Sequence, residues 1–295
     1  MSKTIFTGAG VALVTPFNDD LSVNYNKLEK LIEYHIANGT DSIVICGTTG
    51  ESATLTVKEH AEVIKFAVDV VNHRIPVIAG TGSNETSYAT ELSNDAEKSG
   101  ADALLVVTPY YNKTSQRGLV NHYKFIADRV SSPIIIYNVP SRTGVNVLPE
   151  TYAELCEHKN IVAAKEASGD ISQVAQIAAL CGDKLDIYSG NDDQIVPILS
   201  LGGKGVISVL SNICPKIAHD IVSLYLDGKY TESSELQLKY LELCNSLFMD
   251  VNPIPVKVAM NMMGFGVGPF RMPLCEMDDN KTAKLNAVLK KYNLI

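Results

Sequence analysis

Lys165 stands in the 295-residue chain at a place where a lysine is costly. It follows Ile161-Val162-Ala163-Ala164, an apolar run that reads as a buried strand, so its amine is expected at the open end of that strand and out of water. An isolated ammonium is unfavourable there. Burial disfavours the charged form, lowers the pKa and leaves a free amine able to add to a carbonyl and form a Schiff base. An ion pair between Lys165 and a carboxylate at the strand end explains the same residue, and from Lys165 alone both readings stand.

Hydroxyl groups cluster around the same end of the sequence pattern. Tyr137 closes the preceding apolar run, Tyr111 lies in the loop after the run before that, and Thr49 sits in Gly47-Thr48-Thr49-Gly50-Glu51-Ser52. Forming and dehydrating a carbinolamine requires a proton to enter and leave the same oxygen, which suits a relay of weak acids. Each tyrosine taken singly also fits a core or rim aromatic. Gly47 and Gly50 let the threonine loop turn tightly and offer backbone N–H groups to a carboxylate, although an ordinary strand-to-helix turn uses the same glycines. Arg142, in Pro140-Ser141-Arg142-Thr143-Gly144, carries the planar fork that suits a second carboxylate, or is a surface arginine.

Other chemistries lack their residues. Gly80-Thr81-Gly82-Ser83-Asn84-Glu85 begins like a dinucleotide fingerprint but has no third glycine, and neither a phosphate-binding G-x-x-x-x-G-K-[ST] nor a G-x-S-x-G elbow occurs. The six histidines are spread singly, and no H-E-x-x-H is present. No metal, nucleotide or other cofactor is therefore expected. The formal charge of −8 disfavours nucleic-acid and anionic-membrane partners. No apolar run reaches the ~18 residues of a membrane span. The six cysteines are scattered without a C-x-x-C pair, and the opening MSKTIFTGAG lacks the apolar core of a signal peptide, so a reduced, cytoplasmic chain is expected.

The elements that must position these groups follow from hydrophobic pattern. Eight short apolar runs recur, at 10–15, 42–46, 76–80, 103–108, 133–138, 161–166, 185–189 and 205–210. Between them lie amphipathic stretches with helix punctuation: Leu28, Leu31, Ile32 and Ile36 before Gly39, a capping box at Thr56 and Glu59, and glycines at 100 and 182 where helices end. Strands apolar on both faces and alternating with helices imply a parallel sheet covered by helices, and eight of them imply an α/β fold of the (β/α)₈ barrel type. The barrel is expected over residues 1–227, its eighth helix beginning near Pro215. Residues 228–295 read as a helical region packed on it, with Leu236, Leu238, Leu241, Leu243 and Leu247 as one apolar stretch. In such a barrel the reactive groups stand at the carboxyl ends of the strands, where Lys165, Tyr137 and the threonine loop fall.

Four segments together, Gly47-Thr48-Thr49-Gly50-Glu51-Ser52, Thr108-Pro109-Tyr110-Tyr111-Asn112, Tyr137-Asn138-Val139-Pro140-Ser141-Arg142-Thr143-Gly144 and Lys165-Glu166, resemble the dihydrodipicolinate synthase family of Schiff-base aldolases. The likeness spans essentially the whole chain. It implies condensation of pyruvate with L-aspartate 4-semialdehyde on the route to diaminopimelate and lysine, without a cofactor. It makes Lys165 the Schiff-base lysine and matches Tyr137, Thr49 and Tyr111 to a proton relay, with Tyr111 reaching a neighbouring subunit's site. Thr48 and Thr49 would hold the pyruvate carboxylate, Arg142 the semialdehyde carboxylate, and Gly190 and Ile207 the substrate through backbone groups. It also implies a homotetramer built from tight dimers. Feedback-regulated members bind lysine at positions matching Ser52, Ala53, Val57, His60, Asn84, Tyr88 and Tyr110. Tyr88 and Val57 depart from the sensitive pattern, which implies weak inhibition. The related N-acetylneuraminate lyases and 2-keto-3-deoxygluconate aldolases share single motifs. Arg142 weighs against them, because a sugar chain calls for hydroxyl-bonding groups there. A barrel that binds keto acids without turnover would not need the full lysine, tyrosine and threonine set.

Overall fold

The computed structural model describes residues 4–295. Eight parallel strands, β1 (Gly8–Ala12), β2 (Ser42–Ile45), β3 (Val77–Gly80), β4 (Ala103–Val107), β5 (Ile134–Asn138), β6 (Ile161–Glu166), β7 (Asp186–Ser189) and β8 (Gly205–Ser208), close in chain order into one barrel. The chain is a (β/α)₈ barrel. Because strand side chains alternate between faces, each strand feeds two cores. Inward residues such as Ala12, Val44, Ile78, Leu105, Ile135, Ala163 and Ile207 fill the barrel. Their neighbours Val11, Ile43, Ile45, Leu104, Ile134 and Ile136 pack outward against the helices. Both faces are dry, which is why the strands read as continuous apolar runs.

The helix signals act where the chain carries them. The helix Tyr25–Ala37 buries Leu28, Leu31, Ile32 and His35. Thr56 and Glu59 form a reciprocal capping box at the start of Val57–Val71. Gly100 follows the helix Thr86–Lys98 with φ 91°. Pro215 occupies the first turn of Pro215–Leu226.

Two expectations are corrected. The first strand lies two residues earlier than its apolar run, because β8 pairs with it from Gly8 onward, and beyond Ala12 the Val14 amide turns to the Asn212 side chain at 3.1 Å. The run at 205–210 likewise stops at Ser208, since the Val209 and Leu210 amides bond Asp192 instead.

After residue 227 the chain forms the helices Tyr230–Ser246, Ile254–Met262 and Asp279–Lys291. The leucine stretch does not make one buried face: Leu238 is 67% exposed, and Tyr230–Ser246 instead buries Ser233, Gln237, Leu243, Cys244 and Ser246. Polar side chains dock it, with Ser233 Oγ donating to the Ile221 carbonyl at 2.6 Å and Gln237 Nε2 to the Asp193 carbonyl at 2.7 Å. Among the described residues no helix is long and apolar enough to cross a membrane. The cysteines are unpaired, and all but Cys275 are buried.

Candidate active site

Strands β5 and β6 lie side by side with Tyr137 opposite Lys165, so both side chains enter the barrel mouth at the same level. The Lys165 Nζ lies 4.3 Å from the centre of the Tyr137 ring. Glu166, the next residue, faces outward, where its carboxylate accepts hydrogen bonds from Asn138 Nδ2 (3.1 and 3.2 Å), the Tyr152 hydroxyl (3.1 Å) and the Ser168 amide (2.9 Å). Strand alternation thus denies Lys165 its nearest carboxylate in sequence.

Lys165 is 5% exposed, and among the described residues its amine has no hydrogen-bond or ion-pair partner. The paired-lysine reading therefore does not describe this site. Burial pushes its pKa down to about 7; the charge of Asp192 opposes that shift and that of Arg142 adds to it. Asp192 is itself buried, with Oδ2 held by the Val209 and Leu210 amides at 3.0 and 2.9 Å and Oδ1 without a partner.

A cavity of 390 Å³ opens above Lys165, lined among others by Thr48, Thr49, Tyr137, Arg142, Gly190 and Asn252. The threonine loop is a tight turn in which the Gly50 and Ser52 amides donate to the Gly47 carbonyl and the Glu51 amide to the Thr48 carbonyl. Among the described residues the N–H groups of Thr48 and Thr49 have no acceptor, so two adjacent donors are left at the cavity wall. The turn's left-handed positions are not its glycines but Cys46 (φ 54°) and Glu51 (φ 53°). Gly50 serves close approach instead, since a Cβ there would lie 3.1 Å from the Leu13 carbonyl oxygen.

The two threonines differ in their partners. The Thr49 hydroxyl accepts from Asn252 Nδ2 at 3.0 Å and is 3% exposed. Burial raises the Tyr137 pKa, and the charge of Arg142 and the Thr48 side chain oppose that rise. The turn thus directs the Thr49 hydroxyl to Asn252, while Thr48 is the threonine whose side chain acts on Tyr137.

Arg142 stands in the short helix Pro140–Thr143, closed by Gly144 at φ 68°, and its Nη2 donates to the Asn252 carbonyl at 3.1 Å. Gly190 makes room for the lysine: a Cβ there would lie 3.2 Å from Lys165 Cε and 2.7 Å from the Ala167 Cβ. Ile207 is fully buried among the inward residues of the barrel, and Val209 rather than Ile207 lines the cavity. Tyr111 is 90% exposed, adopts φ 67° and does not line the cavity of its own chain. A second cavity of 440 Å³ shares Thr48, Tyr137, Arg142 and Asn252 with the first and extends to Ser52, Ala53, His60, Tyr88 and Tyr110. Val57, 53% exposed, and Asn84 lie outside its lining.

Sequence reasoning missed Asn252 and gave Asp192 no role. Asn252 carries no motif and lies in the C-terminal segment. Asp192 was visible only as part of Gly190-Asn191-Asp192 after the seventh run.

Comparison with known proteins finds likeness along nearly the whole chain. Residues 5–292 match the model of the dihydrodipicolinate synthetase family. A Clostridium acetobutylicum protein named 4-hydroxy-tetrahydrodipicolinate synthase 1 is 59% identical over 292 residues, 99% of each chain. A Clostridium perfringens 4-hydroxy-tetrahydrodipicolinate synthase is 59% identical over 291 residues, covering 99% of this chain and 100% of its own. The crystal structure of the chloride-inhibited dihydrodipicolinate synthase from Acinetobacter baumannii, complexed with pyruvate, superposes with a TM-score of 0.97 at 44% identity, covering 99% of this chain and 100% of its own. With the barrel, the inward lysine and these full-length likenesses in agreement, the chain belongs to the dihydrodipicolinate synthetase family.

Proposed function

We propose that the protein is a lyase that condenses pyruvate with L-aspartate 4-semialdehyde to 4-hydroxy-tetrahydrodipicolinate, the step that feeds diaminopimelate and lysine synthesis. One observation carries the reading: an unpartnered, buried amine, Lys165, shares a cavity with the two free amides of Thr48 and Thr49. The amides and the threonine hydroxyls receive the pyruvate carboxylate, which presents the keto carbon to the amine.

Lys165 in its neutral form adds to that carbon, and the carbinolamine oxygen leaves as water after protonation through Tyr137. The iminium draws electrons from the methyl group, which loses a proton to give an enamine. The enamine carbon attacks the aldehyde, whose oxygen takes a proton and becomes the hydroxyl group. The amine of the second substrate then adds to the iminium carbon, closes the ring and expels Lys165. Arg142 holds the semialdehyde carboxylate at the mouth, and Gly190 contributes backbone groups at the cavity wall. Thr48 rather than Thr49 passes protons to Tyr137. Tyr111, exposed on its own chain, completes the relay of a neighbouring subunit within a homotetramer of tight dimers. The protein works in the cytoplasm.

Pyruvate with borohydride should fix a stable secondary amine on Lys165, located by mass spectrometry. The protein should turn over pyruvate with aspartate semialdehyde and not pyruvate with N-acetylmannosamine. An adduct elsewhere, or none, would overturn the mechanism; turnover of the sugar alone would reassign the substrate.

A further inference from the structure

Lys257 and Glu51 form an ion pair in which both side chains are 0% exposed, with Nζ 2.6 Å from Oε1. Every polar group of the pair is matched. Lys257 also donates to the Pro269 carbonyl at 2.7 Å and lies 4.6 and 5.1 Å from the ring centres of Phe17 and Phe270. The other Glu51 oxygen accepts from the Arg271 amide at 3.2 Å. Removing two charges from water is expensive, and packed apolar residues would fill such a site at less cost.

Glu51 belongs to the threonine turn. Its amide holds the Thr48 carbonyl at 3.1 Å, and its left-handed backbone persists only where the surroundings over-determine it. Two residues before the helix that carries Lys257, Asn252 reaches Thr49. The C-terminal segment therefore holds the turn from both sides.

We propose that the Glu51–Lys257 pair is a positioning element for the carboxylate-binding amides of Thr48 and Thr49, so that the helix Ile254–Met262 is part of pyruvate recognition. This rests on the reading in which those threonines hold the pyruvate carboxylate. Loss of the tether lets the turn drift from the lysine, and a misplacement of about 1 Å costs on the order of 10²-fold.

The test uses the full-length protein and three variants: Lys257→Met, Glu51→Gln and the double variant Glu51→Gln/Lys257→Met. Steady-state constants for each substrate, pyruvate-dependent borohydride trapping and thermal melts are measured. Lys257→Met should raise KM for pyruvate by about 10- to 100-fold while KM for the semialdehyde stays within about twofold. Glu51→Gln keeps an acceptor for the lysine and should raise it only about three- to tenfold. The double variant removes both buried charges, so its melting temperature should recover while its pyruvate KM stays high. A pair that merely stabilises the fold predicts that both recover together. An unchanged pyruvate KM in any folded variant overturns the proposal; if Lys257→Met does not fold, the double variant and Glu51→Gln decide. Failure of the unsubstituted protein to form a Lys165 adduct would instead strike the reading on which the proposal rests.

Discussion

Replacing Lys165 with methionine should make the protein more stable, by an amount that depends on pH. The lysine's pKa falls from 10.5 to about 7 in the folded chain. Between those values the unfolded chain binds a proton that the folded chain does not, so stability rises with pH across that window. At pH 7 the site carries about three units of this penalty, which at ~1.36 kcal/mol per unit is roughly 4 kcal/mol. At pH 10 less than ~1 kcal/mol remains. Methionine fills a similar volume without a charge, so its advantage should be a few kcal/mol at pH 7 and about 3 kcal/mol smaller at pH 10. Equilibrium urea unfolding of both proteins at both pH values, at one protein concentration, measures this. Equal stabilities at pH 7, or an advantage that does not shrink, would refute the claim that Lys165 sits at the cost of its charge. The same pKa requires borohydride trapping by pyruvate to slow about tenfold per unit below pH ~7, because only the neutral amine adds.

Tyr137→Phe should lower turnover by about 10²- to 10⁴-fold with the melting temperature nearly unchanged, since the ring remains to pack. Thr48→Val should cost more turnover than Thr49→Val, whereas the reverse order would place Thr49 in the relay. Tyr111→Phe should lower turnover, and mixing it with Lys165→Ala under subunit exchange should return part of it; mixtures that never recover count against a shared site. Free lysine should inhibit weakly or not at all: losing one charge-assisted hydrogen bond where Tyr88 stands costs ~1.5–3 kcal/mol, roughly 10- to 100-fold in affinity. Half-inhibition below about a millimolar in initial-rate titrations at saturating pyruvate would contradict this.

The barrel is legible in the chain because strands buried on both faces must be apolar throughout, and Ile134-Ile135-Ile136 or Ala103-Leu104-Leu105-Val106 leaves little alternative. Lys165 is legible for the same reason, as a charge at the end of such a run. The helix starts at Thr56 and Pro215 could be read because a cap is a local interaction within a few residues. The face of Tyr230–Ser246 could not, since serine and glutamine side chains dock it and hydrophobicity carries no record of that.

Residue types and strand order thus follow from the sequence itself: which runs are buried, where one amine loses its water, and which loops stand beside it. Tertiary structure alone decided which neighbour each group has. Thr48 and Thr49 are identical side chains on adjacent residues, and only the turn between Cys46 and Glu51 decides that it is the Thr49 hydroxyl that meets Asn252. Lys257 reads as an ordinary helix lysine flanked by Val256 and Val258, yet it finds Glu51 across 206 residues of chain. Such pairings depend on the closed barrel carrying distant segments to one mouth, a geometry that no local spacing encodes.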